Sequence, residues 1–418
     1  MASDLTDHQQ EAYDIVCSSL LSSDRYTGLR GYAGTGKTYL VTRLVEAFVE
    51  ADVPITVCAP THKAVQVLGT HLQSVPTQMK TLHSFLGLRL RPSEDGTYKL
   101  VPEGGMEEYA EGIVIVDEAS MIGQQEWQFI EASSAFLSWL FVGDPAQLPP
   151  VNEPESPALK VPGPMLTEVH RQARDNPILD LATQIREGTV ERFQSQYANG
   201  SGVAITHNTE GFRDSILRTF DTDAFDEDAT YARVLAYRNR TVRRYNQEIR
   251  EARYGADAPR FEPGEWLVAR ETWYHDQSLV VLNSEEVRVK SATVETFEAD
   301  DLSEWTVWTL KVRSPMRGTS STLHVLHEDE QERYENDLAN RKDAAKEDTR
   351  KWQGYFELRE RFARVDYAYA TTVHRAQGST FNTVFVDHRD LQACRGEERA
   401  ALLYVAVTRP AQRLALLV

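Results

Sequence analysis

The sequence predicts an α/β protein with two parallel-sheet domains, each flanked by helices, interrupted by a small β-hairpin and by a larger β-rich insertion. Three observations carry this. Apolar β-rich runs alternate with amphipathic stretches in the first 165 residues: TGLRGYA, a Gly-rich loop, a helix from about Thr38, ITVCAP, a second helix, then GIVIVDEA and FLSWLFVGD. After Pro164 the same rhythm resumes through LTEVHRQ, a helix over NPILDLATQIREG, ARVLAY with an Arg-rich helix, YAYATTVH, NTVFVDH and LALLV. Residues 286–326 break it with VRVKSATVETFEA, WTVWTLKVR and STLHVLHE, which read as meander strands ahead of a charged helical run to about Arg364.

Each remaining segment follows from its local chemistry. RLRPSEDGTYKLVP places two short alternating runs around Asp95-Gly96, a β-hairpin signal. The proline-rich PPVNEPESPALKVPGP reads as the connection between the large domains, placed to act as a hinge. These boundaries give a first domain over residues 1–165 with a hairpin insertion at 88–105, and a second over 166–418 with an insertion at 286–363.

Composition excludes some roles. With 41% apolar and 26% charged residues, the chain has no window near the roughly 18 uninterrupted apolar positions that span a bilayer. MASDLTDHQQEAYD lacks the basic and apolar segments of a secretory signal, so a cytoplasmic protein is expected, with nucleoid-associated or phage-encoded variants of that expectation. Cys17, Cys58 and Cys394 lack CxxC spacing, which argues against a zinc site or a disulfide framework. A formal charge of −18 opposes phosphate binding as a sum, but its distribution is uneven. Residues 233–253 hold seven arginines against two glutamates, whereas residues 93–131 hold one lysine against ten acids.

Chemistry concentrates in ordered motifs. GYAGTGKT, Gly31–Thr38, fits GxxxxGK[ST] between a predicted strand and a predicted helix, so the amides of Gly34, Thr35 and Gly36 can wrap phosphates at a helix N-terminus. Lys37 is then expected on the β- and γ-phosphates of ATP and Thr38 on Mg²⁺. Asp117-Glu118 ends the apolar strand GIVIV; Asp117 is expected to hold Mg²⁺ through water and Glu118 to polarise the attacking water. Alone, such an acidic pair is more often a helix cap, but beside the Gly-rich loop it implies hydrolysis.

With GDPAQLPP at residues 143–150 the chain resembles superfamily 1 helicases of the Dda and RecD-like kind. LTDHQ, CAPTHKAV, TLHSFLG, DEASM, VHRQ, VHRAQGST and YVAVTRP appear in that family's order along nearly the whole length. The resemblance implies two RecA-like P-loop domains, with Gln147 sensing the γ-phosphate, Gln9 reading adenine, and Arg171 and Arg409 reaching the γ-phosphate from the second domain. It places Thr61, His62, Thr81, His83 and Phe85 along a single strand on the first domain, with core burial the other reading of Phe85. On the second domain it places Thr372 and His374 on the strand, and Gln377 and Gly378 as the link from that contact to ATP. Tyr98, the only aromatic of the hairpin, matches the strand-separating pin, a plain surface hairpin being the equal alternative.

Residues 286–363 resemble the family's SH3-like barrel, with Trp305 and Trp308 in its core, although Asn283-Ser284-Glu285 replaces the usual Asn-Gly turn. Arg375 stands where lysine is frequent and Pro410 where alanine is. The implied activity is ATP-dependent, 5′-to-3′ translocation on single-stranded DNA with duplex unwinding by a monomer. Partners are then single strands and single/double-strand junctions, with single-strand-binding, replication or recombination proteins as further candidates. Competing readings are a partner-dependent translocase subunit and, from another class, a small-molecule kinase on the same ATP loop, which leaves Gln147 and the two distant arginines without purpose.

Overall fold

The computed structural model describes residues 5–22, 24–73, 75–93, 95–103, 111–169, 175–276, 278–299, 303–396 and 398–418. A six-stranded parallel sheet organises the first domain, in the spatial order Gln78–Thr81, Ile55–Ala59, Gly112–Val116, Leu137–Gly143, Tyr26–Gly31 and Met165–Leu166. Side chains alternate across it. Leu29, Val57, Ile115 and Leu140 pack with the helices Asp7–Leu20 and Lys37–Glu50 on one face, while Cys58, Val114, Trp139 and Phe141 face the other. Covering on both faces explains why the strands read as unbroken apolar runs.

The second domain repeats the plan. Ala370–Thr372, Ala232–Ala236, Phe381–Asp387, Pro410–Leu417 and Ser201–Thr206 run parallel, and Gln196–Ala198 closes the edge antiparallel. In both sheets the four middle strands follow the chain order second, third, fourth, first. The first of them therefore delivers its loop to the carboxyl end of the sheet, where ligands of open α/β sheets bind.

A five-stranded antiparallel sheet lies within the second domain, ordered Ser320–Leu326, Glu304–Arg313, Glu286–Glu298, Trp266–Ala269 and Val365–Tyr367. It begins earlier than the 286–363 expected from sequence, because Trp266–Ala269 pairs with both Glu286–Arg288 and Val365–Tyr367 and fastens the insertion at its base. Trp305 and Trp308 are buried as expected. Ser284 takes the left-handed conformation, φ 63°, that a glycine adopts freely, and its N–H is held by the Ala269 carbonyl at 2.9 Å. The charged run forms the helices Gln331–Glu347 and Trp352–Glu360. The hairpin around Asp95-Gly96 forms from Leu88–Pro92 and Tyr98–Pro102.

The proline-rich connection is not a free hinge. Pro162 and Pro164 cannot donate hydrogen bonds, yet their carbonyls accept the N–H groups of Gly28 at 2.8 Å and Arg30 at 3.0 Å, and Ser156 donates to the Ala119 carbonyl at 2.7 Å. A Cβ on Gly28 would fall 2.6 Å from the Val161 carbonyl, so glycine is required for this approach. The segment is pinned along the first sheet until Met165–Leu166 joins it as an edge strand. The cysteines are unpaired, and among the described residues no helix is long and apolar enough to cross a membrane.

Candidate nucleotide cleft and nucleic-acid interface

The Gly-rich loop turns from strand Tyr26–Gly31 into helix Lys37–Glu50 through two left-handed glycines, Gly34 at φ 77° and Gly36 at φ 85°. Several of its polar groups are satisfied within the loop. The Lys37 ammonium donates to the carbonyls of Gly31 at 2.6 Å and Tyr32 at 3.0 Å, and the Thr35 hydroxyl donates to Tyr32 at 2.8 Å. Gln9 is buried against the loop, where its amide donates to the Thr35 carbonyl at 3.1 Å and accepts from Thr6 N–H at 3.2 Å in a capping box. Gln9 thus lies under the phosphate loop with its amide engaged by Thr6 and Thr35.

Asp117 is fixed by its N–H to the Cys58 carbonyl at 3.0 Å, and its carboxylate accepts the Glu118 N–H at 2.9 Å. Glu118 sits in the left-handed region at φ 53°, ψ 39°, strain that a non-glycine residue carries at functional turns. Burial, with the Glu118 carboxylate beside it, pushes the Asp117 carboxyl up to about 7. A cation held by Asp117 would relieve both causes. The Thr38 hydroxyl makes no hydrogen bond among the described residues, so the donor set fits Mg²⁺.

Gln147 and Gln377 meet across the domains. The Gln377 amide donates to Gln147 Oε1 at 3.2 Å, Ser120 Oγ at 3.3 Å and the Leu148 carbonyl at 3.3 Å. Gly378, left-handed at φ 72°, abuts the start of helix His62–His71; a Cβ there would stand 3.3 Å from Ala64 and 3.6 Å from the Thr61 hydroxyl. Arg409 is buried and donates to the carbonyls of Val405 and Ser379, both at 3.2 Å, and to the Thr408 hydroxyl at 3.1 Å. Arg171 lies outside the described residues.

Sequence reasoning missed three second-domain residues that touch the loop: Leu179, Arg186 and Tyr404. Tyr404 stands inside YVAVTRP, five residues before the arginine that drew attention to that motif. Nothing local marks the other two.

The expected nucleic-acid face shows one device three times. Thr81 and Thr372 each end a strand, Thr61 lies two residues beyond one, and all three cap the next helix, accepting the N–H of Ser84 at 3.2 Å, Arg375 at 3.3 Å and Ala64 at 3.1 Å. A capping hydroxyl still has its own proton to donate, although Thr81 and Thr372 are largely buried at these caps. Histidines follow them. His83 pairs with Glu126 at 3.1 Å; His374 pairs with Glu398 at 2.9 Å, its ring 5.9 Å from that of Tyr237; burial lowers the pKa of His62.

Two expected contacts change. Phe85 is 1% exposed and packs edge-on against Trp139 at 5.6 Å, so it belongs to the core and cannot stack on a base. Tyr98 is docked rather than free. Its hydroxyl donates to Glu360 at 2.5 Å, its ring meets Phe356 edge-on at 5.0 Å, and the Arg359 guanidinium lies 4.9 Å over it. Trp352 covers Gly96, so the hairpin of the first domain rests on helix Trp352–Glu360 of the second.

Comparison with known proteins agrees with this geometry. A family model described as an AAA domain matches residues 4–208, and one described as a UvrD-like helicase C-terminal domain matches residues 367–417. The chain is 26% identical over 448 residues to the ATP-dependent DNA helicase dda of Enterobacteria phage T4, covering 97% of each. It is 30% identical over 177 residues to the ATP-dependent RecD2 DNA helicase of Deinococcus radiodurans, covering 40% of this chain and 22% of that one. Among solved structures, Bacteroides Pif1 bound to single-stranded DNA aligns with a TM-score of 0.53 at 15% identity, over 99% of this chain and 92% of that one, a likeness of fold. With both motor-domain matches in order around a shared cleft, the chain belongs to the superfamily 1B helicases of the Dda, Pif1 and RecD-like group.

Proposed function

We propose that the protein is an ATP-dependent DNA helicase that moves 5′ to 3′ along single-stranded DNA and separates duplexes at junctions. The observation that carries this reading is Gln377. It joins the nucleotide cleft, through Gln147 and Ser120, to the turn that bears Thr372 and His374, while the adjacent Gly378 touches the turn that bears Thr61. A change at either site therefore reaches the other through two contacts.

In this reading Lys37 and the loop amides bind the phosphates, Thr38 and Asp117 hold Mg²⁺, and Glu118 and Gln147 orient the attacking water. Mg²⁺, when bound, supplies charge neutralisation. Arg409, with Arg171, supplies positive charge from the second domain, a role for which arginine fingers contribute about 10³ to 10⁵ in rate. Closing and opening of the cleft then moves the Thr372 grip against the Thr61 and Thr81 grip, provided each holds DNA differently in each nucleotide state. The five-stranded sheet and its two helices we assign as the SH3-like insertion, and the hairpin as the strand-separating element it supports. The 5′-to-3′ polarity follows from the family.

Unwinding of matched duplexes with only a 5′ or only a 3′ single-stranded tail tests this, with Lys37→Ala as control. ATP-dependent unwinding confined to the 5′-tailed duplex is expected. Unwinding of the 3′-tailed duplex alone would overturn the polarity, and translocation without unwinding would favour the partner-dependent subunit.

A further inference from the structure

Three consecutive residues of the phosphate loop are held by the second domain. The Arg186 guanidinium lies 3.7 Å from the centre of the Tyr32 ring. Leu179 packs so closely on Gly34 that a Cβ there would fall 2.7 Å from its Cδ1. Between them the Ala33 N–H donates to the Tyr404 hydroxyl at 2.8 Å, and that hydroxyl donates its proton to Asp144 Oδ2 at 2.7 Å. Asp144 also stands 3.9 Å from the Lys37 ammonium. Both Tyr404 and Asp144 are buried. Burial and the Asp144 carboxylate push the phenol upward, so it stays protonated with its one hydrogen committed to Asp144 and its oxygen left to accept Ala33.

Tyr404 lies on helix Glu398–Val407, and the first residue of that helix, Glu398, accepts the His374 ring at 2.9 Å. One end of a single short helix thus touches the expected nucleic-acid face, and six residues on, roughly 9 Å at helical rise, the same helix grips the phosphate loop. An element this short moves as a rigid body, and two sites that both bias one rigid element are coupled, each by the same factor on the other.

We propose that helix Glu398–Val407 couples single-stranded DNA to nucleotide, with Tyr404 the positioning residue through which it sets the phosphate loop. The inference rests on the helicase reading above and adds the element that links its two sites. Displacement of the helix by a strand at His374 alters the hold of Tyr404 on Ala33 and Asp144. That changes how readily Ala33 N–H and Lys37 turn to phosphate.

The test is the affinity for a fluorescent ADP analogue with and without saturating oligo(dT), for the wild type and Tyr404→Phe. Couplings between two sites are typically about 5- to 150-fold. Tyr404→Phe is expected to bring the DNA-induced factor close to one while oligo(dT) affinity without nucleotide stays within about twofold of wild type. Leu179→Ala, which loosens the same grip without stranding a polar group, is expected to reduce the factor as well and carries the test should Tyr404→Phe fail to fold. Glu398→Ala, which releases the other end of the helix, is expected to do the same. An unchanged factor in all folded variants overturns the inference, as does a weaker ADP affinity with the factor preserved, which marks Tyr404 as structural only. A wild type whose nucleotide affinity ignores DNA also overturns the inference, whereas the helicase reading stands or falls with the tailed-duplex unwinding assay.

Discussion

Tyr98 offers a decisive test of how the hairpin works, because its ring is docked on the second domain. Its edge-on contact with Phe356 contributes about 0.5–1.5 kcal/mol beyond its buried area. Arg359 over the ring adds about 0.5–1 kcal/mol. The solvent-facing hydrogen bond to Glu360 belongs at the low end of about 0.5–1.5 kcal/mol. Docking is therefore stabilised by about 1.5–3 kcal/mol from this residue, so Tyr98→Ala raises the undocked fraction roughly 12- to 140-fold at about 1.4 kcal/mol per decade. The assay is base pairs unwound per ATP hydrolysed on a 5′-tailed duplex. Tyr98→Ala should lower that ratio severalfold with DNA-stimulated hydrolysis preserved, Tyr98→Phe should retain most of it, and Phe356→Ala should reproduce Tyr98→Ala. In a double-mutant cycle the two alanines should be strongly non-additive, because each removes the same contact. A Phe356→Ala enzyme that stays folded and unwinds normally while Tyr98→Ala does not would refute docking as the cause and make the Tyr98 ring itself the wedge.

Three further outcomes are expected. Gln377→Ala should bind ATP near normally but lose most DNA stimulation of hydrolysis in steady-state assays, since it is the bond between Gln147 and the Thr372 turn. Glu286→Gln should destabilise the protein by about 3–5 kcal/mol in chemical denaturation, because Glu286 neutralises the fully buried Arg233 and reaches Lys63 of the first domain at 2.8 Å. Asp117 should show in the pH dependence of metal-free stability. Its folded value is raised, so the native state binds the proton more tightly, and stability is lost as pH rises from about 4 through about 7. Asp117→Asn should flatten that slope and raise the melting temperature at pH 8 without Mg²⁺ while abolishing hydrolysis.

Legibility in the sequence followed locality. The phosphate loop, the acidic pair and Gln377 are short strings whose chemistry is fixed by their neighbours, and the structure brings them together in one cleft. Residues 149–164 read as a free linker because prolines signal a missing donor, yet the Pro162 and Pro164 carbonyls accept from Gly28 and Arg30 and pin the segment to the first sheet. Phe85 was ambiguous because a phenylalanine in a Thr- and His-containing motif serves equally as stacking platform or core anchor, and only Trp139, far away in the chain, decides it. Leu179 and Arg186 are not legible in the sequence for the same reason, because their partners on the phosphate loop lie in another domain, and Tyr404 stands in a motif whose arginine drew the attention.

The resting cleft also explains why binding energy can do mechanical work here. Lys37 is satisfied by Gly31 and Tyr32, Gln9 by Thr35, Ala33 by Tyr404, and Arg409 by Val405 and Ser379. Each of these groups is one that ATP is expected to claim, and each is engaged with protein in the structure. An empty cleft with free donors would bind nucleotide more tightly but would leave the domains where they were, since a ligand shifts an equilibrium only by its differential affinity for the two states. Exchanging two second-domain contacts, Tyr404 and Arg409, for phosphate makes part of the nucleotide's affinity conditional on domain position. Substitutions that free those groups should therefore tighten nucleotide binding without DNA while weakening unwinding, the opposite of what loss of a simple binding residue does.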